Sequence, residues 1–153
     1  MEQNLTNADV AQKLAVLLSD VVVAKFIMHG YHWNVLGPDF GEYHEFFATI
    51  YEDYDDSIDL IAENILKVGY AAPYLLTDFL EMSCIKEERL GDVSSRELLE
   101  SALRVNAHLT ECHYSAFAVA NDANKQGLAD FLAGRIDTLE KWNWQIKAFL
   151  GVR

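Results

Sequence analysis

In this 153-residue chain, His32, His44, Asp59 and Glu63 are the residues whose types and spacing fit metal ligation. Imidazole nitrogens and carboxylate oxygens together make a mixed site suited to iron or zinc, and the carboxylates work against selection of a soft metal. On a helix, at about 100° per residue, His44, Asp55, Asp59 and Glu63 fall within an arc of about 100° and share one face. Asp55, Asp59 and Glu63 are successive i,i+4 neighbours, a spacing at which like charges repel unless a cation or a facing positive group relieves them. Asp55, with Glu52 and Asp53 nearby, is read as a solvated acidic face.

Distance limits how these groups can cooperate. His44 and Asp59 lie about 22 Å apart along a helix at about 1.5 Å per residue, too far to bind one ion. His32 precedes a Gly37-Pro38 break and can fold back toward His44. One chain therefore offers a histidine pair at one end of a helix and a carboxylate pair at the other. If two copies of that helix pack antiparallel about a two-fold axis, the histidines of one meet the carboxylates of the other and two equivalent sites form. The spacing predicts a dimer and leaves the metal unnamed. A four-helix subunit holding two irons by itself should carry Glu-x-x-His on two helices. Glu42-Tyr43-His44 and Glu111-Cys112-His113 have the wrong spacing.

The elements that must position these residues are helical. Apolar residues make up 51% of the chain and only two residues are proline, which favours an all-α fold in a single domain spanning residues 1–153. Thr6 or Asn7 can cap a first helix with apolar residues at Val10, Leu14, Leu17, Leu18 and Val21, ending near Trp33. A second helix is expected from Pro38, as its first residue, to about Lys67, with Gly69 closing it. Pro73 and a Thr77 cap predict a short crossover helix over Asp78 to Ser83. The capping box Ser94-x-x-Glu97 opens a third long helix to about Asn121. After a turn at Asn124 to Gly127, Leu128 to Leu150 forms the fourth, stopped by Gly151. The expected architecture is a four-helix bundle with one long connection.

A net charge of -12 with scattered lysines and arginines argues against binding nucleic acid through the protein's own surface. Cys84 and Cys112 are too few for a disulfide framework and fit reduced thiols in a cytoplasmic protein. No secretory leader is recognisable, and the apolar runs are too short to span a membrane. His29 reads as a surface or supporting histidine. His108 and Cys112, at i,i+4 with His113 adjacent, could chelate a soft metal but read first as packing.

At His32-Trp33-Asn34, Gly37, Phe40, His44-Glu45, Asp59 and Ala62-Glu63, and in the final EKWNWQIKAFLG, the sequence resembles the Dps family of miniferritins, named as DNA-binding proteins from starved cells. The resemblance covers nearly the whole chain. It implies a ferritin-like subunit in a hollow dodecamer, with a ferroxidase centre between two-fold related subunits. There iron(II) is oxidised by hydrogen peroxide or dioxygen and stored as ferric mineral, protecting the cell from peroxide and iron. By position, His32 and His44 match the family's histidine ligands, and Asp59 and Glu63 its carboxylates from the neighbouring subunit. Zinc suits the same site. Trp33 matches the tryptophan beside the centre, and Asp122 and Asp130 match pore acids, with Gln126 where another acid is common.

One position departs from the pattern. An acid is usual one turn after the second histidine, and Ala48 stands there. Either water, Glu45 or Glu52 completes a second metal position, or the site holds a single metal. Ala48 motivates the alternative of a metal-buffering cage with weak or no ferroxidase activity. A structural DNA-coating protein is the other alternative, disfavoured by the acidic balance.

Overall fold

The computed structural model describes residues 5–91 and 93–153. Residues 1–4 and 92 lie outside the described residues. The elements are α1 (Asn7–Asn34), α2 (Phe40–Lys67), α3 (Leu76–Met82), α4 (Ser95–Asp122) and α5 (Gln126–Phe149). The fold is the expected all-α bundle of four long helices, with the short α3 on the crossover between its two hairpins.

Local chemistry sets the boundaries. Thr6 is the cap of α1: its hydroxyl accepts from Asp9 N at 3.3 Å while the Asp9 carboxylate accepts from Thr6 N at 2.7 Å. At α2 the expectation is corrected, because Pro38 stands outside the helix. Gly37 adopts φ +136° and its carbonyl accepts from Phe40 N at 3.1 Å, so Pro38 occupies the second position of a turn. The short helix also shifts, to Leu76–Met82, and Thr77 lies inside it instead of capping it. Helix α5 begins at Gln126, two residues before the expected Leu128. Asn124 turns the chain with φ 55° and lets the next helix start at once.

Packing follows the apolar pattern. Helix α1 contacts α2, α3 and α4, which is why its buried residues lie around much of its circumference. Helix α2 is amphipathic: Phe47, Ile50, Tyr54, Ile61 and Ile65 form its buried stripe, and the acidic face points away from the core. A polar spine crosses the centre. The Tyr54 hydroxyl donates to Asn106, whose amide donates to the Leu139 carbonyl and to Asn143, each at 2.9 Å. Every buried amide hydrogen named here has an acceptor, so the spine fixes how α2, α4 and α5 face one another.

Candidate metal centre

His32 ends α1 and His44 begins α2, and the Gly37 turn brings them side by side. The turn is itself anchored, since Val35 is buried and Leu36 N donates to the Val93 carbonyl at 3.1 Å, at the entrance to α4. His32 Nδ1 donates to the His44 carbonyl at 2.6 Å, and His44 Nδ1 donates to the His32 carbonyl at 2.7 Å. A carbonyl can only accept, so each Nδ1 carries a proton, and in the neutral ring Nε2 is the nitrogen left with a lone pair. The rings stack with centroids 3.7 Å apart and 20° between planes. A metal-ligating histidine uses this arrangement, its outer N–H held by a carbonyl while the other nitrogen faces the ion.

Aromatic rings surround the pair. Phe40 stacks on His44 at 4.9 Å, and the Tyr51 ring meets His32 edge-on at 5.3 Å. His29 lies between Tyr51 at 4.0 Å and Trp33 at 4.2 Å. Burial, then the nearby charges of Lys25 and His32, lowers the His29 pKa, which favours a neutral ring. Trp33 is 56% exposed and reaches the histidine pair through His29. Ala48 is half-buried one turn beyond His44 and supplies no donor; Glu45 and Glu52 are exposed.

Asp59 and Glu63 stand exposed on the outer face of α2, far along the helix from the histidines. Among the described residues, no three His, Cys, Asp or Glu side chains stand close enough to hold an ion together. Asp55 pairs with Lys25 at 3.4 Å. Asp53 departs from the sequence expectation of a solvated acid. It is bound by both guanidinium nitrogens of Arg135 at 2.8 and 2.9 Å and by Trp142 Nε1 at 2.9 Å. Arg135 and Trp142 lie two turns apart on α5, a cation and an indole on one face, and that spacing was the available signal.

The remaining candidates separate. His113 is buried in the core with Nδ1 donating to the Leu109 carbonyl at 2.8 Å, and burial pushes its pKa down to about 4. His108 and Cys112 line one cavity with Asp20 and Cys84. Asp122 and Asp130 are exposed near the α4–α5 turn. Asp130 borders a cavity of about 340 Å³ with Gln126, and Asp122 does not line it. Among the described residues, no helix is long and apolar enough to cross a membrane.

The ferritin-like domain family matches residues 11–152. A DNA protection during starvation protein from Brevibacillus brevis is 34% identical over 145 residues, covering 92% of this chain and 97% of that protein. The crystal structure of Dps from Staphylococcus aureus superposes with a TM-score of 0.90 at 28% identity, covering 97% of this chain and 99% of that one. The Dps protein from Vibrio cholerae O1, described as a member of a broad superfamily of ferritin-like diiron-carboxylate proteins, superposes with a TM-score of 0.89 at 26% identity. That alignment covers 94% of this chain and 90% of that one.

Proposed function

We propose, since the chain belongs to the ferritin-like domain family and within it to the Dps proteins, that it binds and oxidises iron(II) and stores the ferric product in a cage of its own copies. The observation that carries this reading is the reciprocal hydrogen bonding of His32 and His44, which engages both Nδ1 atoms and leaves the two Nε2 atoms of the stacked rings for a metal. Asp59 and Glu63 of a two-fold related copy supply the carboxylates. Leu60 and Leu66, 47% and 58% exposed beside those carboxylates, offer apolar contact area for such a copy. Iron(II) is the substrate, and peroxide or dioxygen takes its electrons. Zinc competes for the same mixed donor set.

Removing iron(II) and peroxide together suppresses hydroxyl-radical formation. Protection of DNA then follows from that chemistry and not from coating, because a chain of net charge -12 offers few cations to phosphates. The substitution of His32 and His44 together by alanine is expected to abolish rapid iron(II) oxidation while light scattering still reports the assembled particle. Unchanged oxidation kinetics in an intact particle overturns the assignment. Ala48 favours a second reading, a metal-buffering cage, because it withdraws a donor one turn from His44. Anaerobic titration separates the two: two irons per site with fast peroxide oxidation supports the enzyme, one iron with slow oxidation the buffer.

A further inference from the structure

Cys84 on the crossover and Cys112 on α4 line one cavity of about 220 Å³, together with Lys13, Asp20 and His108. Both sulfurs are free thiols; Cys84 is exposed and Cys112 half-buried. Asp20, only 1% exposed, organises the place. Its Oδ1 accepts from Ser83 Oγ at 2.9 Å and from Cys84 N at 2.7 Å, so the backbone that carries Cys84 is held against α1. Its Oδ2 has no hydrogen-bond partner at ordinary geometry, although it is buried. The Cys112 thiol faces this carboxylate. Burial, then the charge and hydrogen-bonding capacity of Asp20 and the neighbouring Cys84, push the Cys112 thiol up to about 12. A metal is the less favoured occupant, since among the described residues no three donors converge closely enough to hold one.

From this juxtaposition we infer that Cys84 and Cys112 form a peroxide-reactive dithiol, with Cys84 the attacking sulfur, Cys112 the resolving sulfur and Asp20 the proton acceptor. Cys84 goes first because it is exposed, whereas the neutral Cys112 thiol is a poor initial nucleophile. The Cys84 thiolate attacks one peroxide oxygen, the O–O bond breaks, hydroxide leaves and is protonated to water, and Cys84 becomes a sulfenic acid. Asp20 Oδ2 takes the Cys112 proton as its sulfur attacks Cys84. The S–S bond forms, the S–O bond breaks, and the departing hydroxide receives that proton. Two thiols have lost two electrons, and one peroxide has become two waters. Cys84 lies on the irregular segment between α3 and α4, and disulfide formation brings its sulfur to bonding geometry with Cys112 across the shared cavity.

The test is peroxide treatment of the assembled, full-length protein with a chelator present, followed by alkylation of free thiols and non-reducing peptide mapping. The expected result is loss of both alkylatable thiols and a peptide linked through Cys84 and Cys112 within one chain. In Cys112→Ala, Cys84 should accumulate as a sulfenic acid that reacts with dimedone. In Asp20→Asn, Cys84 should still form the sulfenic acid, with the disulfide at least tenfold slower. Retention of both thiols in the wild-type protein overturns the inference. So does sulfinic acid on Cys84 with Cys112 intact, or a link joining two chains.

Discussion

Asp53 shows how much one side chain can do outside the proposed metal site. It bridges α2 to α5 through Arg135 and Trp142, and the Asp53 and Arg135 side chains are only 22% and 12% exposed. Replacing it by asparagine leaves the guanidinium without its charged partner, at an expected cost of about 2–3 kcal/mol in urea unfolding. Burial alone raises a carboxylate's pKa, but the bonds from Arg135 and Trp142 outweigh it and hold Asp53 below its ordinary value. A depressed folded pKa gives stability that is full above the unfolded value, near about 4, and lost as pH falls through the folded value. The wild-type unfolding midpoint should therefore fall more steeply below about pH 4 than that of Asp53→Asn. Parallel midpoint curves would count against the bridge. The His32–His44 pair was legible in the sequence because its partners lie 12 residues apart across one visible turn. Asp53 meets Arg135 across 82 residues, and Asp20 meets Ser83 across 63, so only the assembled bundle reveals them.

At the scale of elements, the helix ends are where sequence and structure agree best and also where they slip. Helices α2, α4 and α5 close in the same way, with a left-handed residue followed by a bond back to the helix: Tyr70 N to Ile65, Lys125 N to Ala120 and Val152 N to Lys147. Glycine fills that place at Gly69 and Gly151, which made those stops readable. Asparagine fills it at Asn124, where φ is 55°. Substituting Asn124 by glycine is expected to leave the melting temperature unchanged or slightly raised, while alanine costs about 1 kcal/mol. Equal stability for the two variants would show that the turn does not need this conformation. The starts were less legible where the chain uses no side-chain cap. Leu75, Asp39 and Lys125 precede α3, α2 and α5 without one, so the turn geometry decides each boundary.

For the whole molecule, a site divided between copies has a signature that no single-chain site shares. A variant lacking His32 and His44 and a variant lacking Asp59 and Glu63 should each be inactive alone. Co-assembled in equal amounts, they should recover about a quarter of the wild-type oxidation rate, since half of the random dimers hold one complete site of two. No recovery, with mixed particles confirmed by mass spectrometry, would exclude the shared site. The four-helix plan was legible because each hairpin is closed by a short turn, whereas the proposed division of the site rests only on helix length. The long crossover that separates the hairpins bears on how the chain folds. Contacts within α1–α2 and α4–α5 are local, whereas docking the hairpins closes a loop, at an entropic cost that grows slowly with its length. The Asp20 carboxylate on α1, bonded to Ser83, Cys84 and Ile85, is then the latch of that loop: it ties the crossover to the first hairpin across 63 to 65 residues of chain.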